Sequence, residues 1–163
     1  MKAKLTPDIC YLAGLVSKSK GKEKSEVVIN TGIDEIEQRF IEIAVKELEI
    51  DPTKIVIEQS ESRKYVKFYH SRVSKMLKDI AAREVYLFKK KDDLAASYIA
   101  GMFDSAGHIR GAAPTISPLT PTDAFMLENL GIHTRGNEVI NITNFILLVK
   151  GRSIIIDKNS SKF

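Results

Sequence analysis

The apolar positions of this chain change period several times, and each change marks an element. Ile33, Ile36, Phe40, Ile43, Ala44 and Leu48 recur at steps of three and four, which predicts an amphipathic helix from about Ile33 to Glu49. Asp51-Pro52 ends it, because the residue before a proline is pushed away from helical geometry. Alternation then takes over in KIVIEQS (54–60) and RKYVKFYH (63–70), two strands joined by a turn at Glu61-Ser62. SEVVINT (25–31) is an earlier strand. Thr6-Pro7-Asp8 opens the first helix, with a hydroxyl cap and a proline at the first helical position. Ser71 is expected to cap another helix that runs to about Ile80, with further helix to Phe88.

After the charged linker Lys89 to Asp93 the same order recurs in shorter form. A helix leads to a single strand candidate, His108 to Ser117. Thr120-Pro121 opens a helix that stops at Gly131, and Ile132 to Thr143 reads as a strand pair around Arg135-Gly136-Asn137. Asn144 to Ile156 fits either a reduced final helix or further strand. The recurrence predicts an α+β fold of two pseudo-symmetric halves, 1–90 and a shorter 91–163, with antiparallel sheets packed by helices.

One phrase sits in the opening helix of each half. Leu12 to Lys20 reads LAGLVSKSK, and Ile99 to Gly107 reads IAGMFDSAG. Ala13 and Gly14 in one copy, and Ala96, Ala100 and Gly101 in the other, are small enough for two helices to pack closely. If the helices cross, Ser19 and Ala106 face each other across a pseudo-twofold axis. Both phrases resemble the LAGLIDADG signature of homing endonucleases, and the resemblance spans roughly residues 8 to 150, as in the single-chain, two-motif type. It implies two signature helices at a central interface, concave sheets that read DNA, and an acid at each eighth position holding a catalytic metal. Here the eighth positions are Ser19 and Ala106, and neither supplies a carboxylate. Ser17 and Lys20 are further departures. Asp104 keeps an acid at the sixth position of the second copy; it is a weak catalytic candidate, and a hydrogen bond to free backbone N–H groups suits it better.

The resemblance therefore implies a nucleic-acid-binding protein, catalytically inactive, with duplex DNA or structured RNA as partner and no cofactor. One alternative is an active metal-dependent, site-specific homing endonuclease that uses magnesium at a site rebuilt around Asp104. Another is a protein-interaction module that retains only the fold. Candidate contacts follow from charge and alternation. Lys18, Lys20 and Lys22 cluster beside Ser19, where they could neutralise phosphate; a solvated lysine turn would look the same. Arg63, Tyr65, Lys67 and Tyr69 share one face of their strand, while Val66 and Phe68 suit the core on the other. Asn30 can join that face. Arg110, Arg135, Asn137, Asn141 and Lys150 are the second half's candidates, and His108 could touch a phosphate. From Lys91 onward lie only seven of the 25 Lys and Arg residues, which predicts a weaker footprint on that side.

Composition narrows the classes further. A chain of 163 residues, 44% hydrophobic and 28% charged, suits one ordinary core or two small fused halves. The net charge of +4 permits nucleic-acid binding. No apolar run is long enough for a membrane span. Cys10 is the only cysteine, so no internal disulfide exists and a reducing, cytoplasmic setting is expected. There is no P-loop, dinucleotide glycine motif or Cys/His metal spacing. Two fused halves make a monomer the expected state.

Overall fold

The computed structural model describes residues 4–19 and 21–163. Helix α1 (Pro7–Ser17) starts as expected, with the Thr6 hydroxyl accepting from the Ile9 N–H at 3.2 Å. Strand β1 (Glu26–Thr31), helix α2 (Asp34–Lys46), strands β2 (Val56–Ser60) and β3 (Arg63–Tyr69), and helices α3 (Ser71–Ala82) and α4 (Glu84–Leu87) complete the first half. The second comprises α5 (Asp93–Ala106), β4 (Gly107–Arg110), β5 (Ala113–Ile116), α6 (Pro121–Asn129), β6 (Thr134–Arg135), β7 (Glu138–Val139), α7 (Ile142–Val149) and α8 (Ile154–Lys158). Each half has one antiparallel sheet, ordered β1-β3-β2 and β4-β5-β7-β6.

The register of the first sheet sorts its side chains. Ile29 lies opposite Val66, and Val27 opposite Phe68. These four are buried under the helices, with the Phe68 ring 5.8 Å from Phe40 of α2. The alternate positions, Asn30 opposite Tyr65 and Glu26 opposite Tyr69, face away from the helices. At the centre, α1 packs on α5, and both are buried almost throughout because they touch protein on nearly every side. Their glycines make this possible. A Cβ on Gly14 would meet the Tyr98 carbonyl and lie 2.8 Å from the Met102 nitrogen. A Cβ on Gly101 would meet the Tyr11 carbonyl and lie 2.9 Å from the Leu15 nitrogen.

Three sequence expectations need correction, and one open choice is resolved. The single strand over 108–117 is a hairpin, β4 and β5, turning at Gly111 with φ of 64°. The helix expected to reach Glu49 ends at Lys46, and Glu49 itself is left-handed at φ 55°. Ile33 precedes α2 as its N-cap. The cap of α3 is His70, whose Nδ1 accepts from the Val73 N–H at 3.2 Å, and Ser71 is the first helical residue. The open choice at 144–156 falls to helix, as α7 and α8.

Candidate nucleic-acid interface

Because α1 and α5 run side by side, their C-terminal ends deliver Ser19 and Ala106 to the same hollow, a groove of about 710 Å³. Its first-half wall carries Lys22, Asn30, Glu58, Arg63, Tyr65 and Lys67, and its second-half wall carries Ser105, His108 and Ser117. The groove continues into a hollow of about 460 Å³ over the second sheet, where Arg110, Thr115, Arg135, Asn137 and Glu138 join His108 and Ser117. The open faces of both sheets thus form one continuous surface.

Charge on this surface is partly neutralised from within. Lys67 pairs with Glu58 at 3.0 Å, and the hydrogen bond to Glu58 raises the Lys67 pKa. Arg63 donates through Nε to Asn30 Oδ1 at 2.9 Å and through Nη2 to the Asn30 carbonyl at 2.8 Å, which lays the guanidinium across β1. Tyr65 and Tyr69 stay exposed, as alternation predicts. Arg110 and Arg135 are exposed over the second sheet, and neither pairs with a carboxylate among the described residues. The side chain of Lys22 is exposed at the groove.

Other candidates do different work. Lys18 borders the groove, but its ammonium is turned to Asp123 with the side chain only 8% exposed, so its charge is already neutralised there. Asn141 accepts from the His133 N–H at 2.7 Å and donates to the Gly131 carbonyl at 2.6 Å; it ties the chain between α6 and β7 and lines neither hollow. Asn137 accepts from the Leu119 N–H at 3.0 Å, and Lys150 follows α7 away from both hollows. Lys20 lies outside the described residues.

The acids do not assemble a cation site. Asp104 is 4% exposed and accepts from the Tyr11 hydroxyl at 2.6 Å, the Ser153 hydroxyl at 2.6 Å, and the Ile154 and Ile155 N–H groups at 2.9 and 3.1 Å. It caps the start of α8, so the backbone hydrogen bonds expected of it come from another helix. Burial pushes its pKa above the ordinary carboxylate value, against the pull of those four donors. Glu26 accepts from the Lys22 N–H at 3.0 Å, and Glu58 is held by Lys67. Among the described residues no three His, Cys, Asp or Glu side chains converge as metal ligands. Ser19 and Ala106 bring no charge where the resemblance places two carboxylates, so this donor set does not fit a divalent cation.

A second polar cluster beneath α1 escaped the sequence reading. Tyr98 stands in α5 where Tyr11 stands in α1, and its hydroxyl donates to Glu84 at 2.6 Å. Burial, then the neighbouring Asp123, pushes the Glu84 pKa up to about 8. Burial opposes ionisation of Asp123 too, yet Glu84, Lys18 and the Thr120 N–H together hold its pKa below the usual value. The only signal in the sequence was an acid at the core stripe of a helix, four residues after Ile80 and four before Phe88. Since Glu84 binds its proton more tightly folded than unfolded, its stabilising contribution is full below about pH 4.5 and is lost as pH rises through about 8. Glu84→Gln is therefore expected to flatten the decline in urea midpoint between these values. Parallel slopes for variant and wild type would overturn the assignment.

No family model matches the sequence, and no curated protein matches it. Solved structures do. A variant of the homing endonuclease I-DmoI, in complex with its target DNA in the presence of manganese, superposes with a TM-score of 0.70 over 90% of this chain and 96% of that one, at 16% identity. The fold is that of I-DmoI. A second I-DmoI complex, with DNA and manganese, gives a TM-score of 0.69 at 15% identity, covering 91% and 98%. Mesophilic variants of I-DmoI give 0.68 at 15% identity, covering 89% and 96%. The architecture inferred from the two signature copies is thus present across nearly the whole length of I-DmoI.

Proposed function

We propose that this chain is a DNA-binding protein that holds duplex DNA along the groove of its two sheets without hydrolysing it. The observation that carries this reading is the meeting of Ser19 and Ala106 in one groove where, among the described residues, no three acid, His or Cys side chains converge to hold a metal. Phosphate contact falls to exposed cations such as Lys22, Arg110 and Arg135, and the exposed tyrosines of β3 meet base edges. The I-DmoI structures in complex with DNA support duplex DNA as the polymer. In this reading one chain, as a monomer, supplies both halves of the surface, and binding needs no metal.

The test is equilibrium binding to labelled mixed-sequence duplex across a salt series, with strand integrity scored with and without magnesium and manganese. Salt-sensitive binding with intact strands is expected. Replacing Arg110 and Arg135 together by alanine should lower the slope of log affinity against log salt by about 2, near 0.9 for each phosphate no longer neutralised. Metal-dependent cleavage would overturn the inactive reading. A preference for structured RNA over duplex would overturn the choice of polymer.

A further inference from the structure

The chain's positive charge is concentrated outside the groove. Between Arg72 and Lys91 lie seven Lys and Arg residues and two acids, Asp79 and Glu84, a surplus larger than the +4 of the whole chain. Glu84 is buried, so Asp79 is the only exposed acid within that stretch.

Helical geometry gathers these cations on one side. Val73, Leu77 and Ile80 of α3 face the core, and Arg72, Lys75 and Lys78 occupy the exposed arc opposite, with Arg83 just past its end. The ridge continues through α4 into the linker lysines at 89–91, all exposed. None of these residues lines the groove or its extension over the second sheet. Among the described residues none is paired with a carboxylate. In the groove, by comparison, Lys67 and Lys18 carry carboxylate partners while Lys22, Arg110 and Arg135 have none among the described residues.

Within this ridge stands one exposed aromatic. Tyr86 is 64% exposed, with the Arg83 guanidinium 5.2 Å and the Lys89 ammonium 4.9 Å from its ring centroid. Both cations lie over the ring, so an unpaired base stacks there in place of one of them and leaves the displaced charge beside its phosphates. A duplex offers no free base face along its length.

We infer that the outer face of α3, α4 and the linker is a second nucleic-acid site, separate from the groove, that takes a single-stranded segment with a base on Tyr86 and phosphates along Arg72, Lys75 and Arg83. The site stands on residues the groove does not use, so it can hold or fail independently of the proposed duplex binding.

Labelled oligo(U) and oligo(dT) of about 12 nucleotides, within the range of known single-strand sites, are the probes. Binding is measured by anisotropy across a salt series with the full-length chain. Arg72→Ala, Lys75→Ala and Arg83→Ala combined should weaken oligonucleotide binding at least tenfold. The salt slope should fall by about 2, near 0.7 for each single-strand phosphate no longer neutralised. Tyr86→Ala should cost about fivefold or more. Duplex affinity should not change in either variant, and Arg110→Ala with Arg135→Ala should leave oligonucleotide binding intact. Failure to bind either probe would overturn the site, as would equal weakening by the groove variant. All these side chains are exposed, and matching urea midpoints confirm that the variants are folded.

Discussion

Gly101→Ala will remove at least about 3 kcal/mol of stability and leave little soluble protein. Within an isolated helix the same change would be favourable by about 1 kcal/mol, because alanine is the better helix former. The neighbour decides the sign. The new methyl would strike the Tyr11 carbonyl and lie 2.9 Å from the Leu15 nitrogen, and both are backbone atoms of α1 that cannot rotate aside. The helices would have to separate, and their buried faces would part along the whole crossing. Gly14→Ala meets the mirror-image obstacle at Tyr98 and Met102. Against a total stability of about 5–15 kcal/mol, this loss is a large fraction. Urea unfolding measures it, and a Gly101→Ala midpoint equal to wild type would refute the close crossing.

Asp104→Ala should cost about 3–5 kcal/mol in the absence of any metal. The carboxylate, itself only 4% exposed, is the shared acceptor for two hydroxyls and two backbone N–H groups. Alanine leaves all four without a partner, and each buried unsatisfied donor carries a penalty of about 1–3 kcal/mol. Asp104→Asn retains an acceptor oxygen but turns an amide toward the donors, so an intermediate loss is expected. A residue kept for metal chemistry would behave differently, leaving the apoprotein's unfolding unchanged when replaced. Unfolding curves in chelator therefore separate the two roles, and an unshifted Asp104→Ala curve would remove the structural one.

How much of this was readable beforehand depended on the range of the interaction. Alternation in 63–70 placed Val66 and Phe68 inward and Tyr65 and Tyr69 outward, because that choice is set by burial of one strand face. The signature copies gave the central crossing, since small residues at helical spacing have few other uses. The pairing of Lys18 is not legible in the sequence because its partner lies 105 residues away and nothing local announces it. Asn141 reads as a surface contact because nothing local shows that its hydrogen bonds to Gly131 and His133 close the turn after α6. The hairpin at Gly111 was hidden by Pro114 and neighbouring small residues, which weaken the alternation that separates one strand from two. The ridge of α3 was visible as sequence but had no side until Val73, Leu77 and Ile80 were seen to face the core.

The polar ties across the centre join unlike partners. Tyr11 of the first half needs Asp104 of the second, and Lys18 needs Asp123. Arg39 lies 3.7 Å over the Tyr11 ring and donates to the Arg152 carbonyl, while Lys158 reaches back to Glu35 at 2.7 Å. Two copies of the first half would bring Ser17 against Tyr11 and leave Lys18 buried without Asp123. Two copies of the second would bury Asp123 without its lysine, because Ser105 stands in α5 where Lys18 follows α1. The interface thus works as a mating code: each piece recognises its complement and rejects its own likeness. The apparent symmetry of the fold conceals a heterodimer written into a single chain.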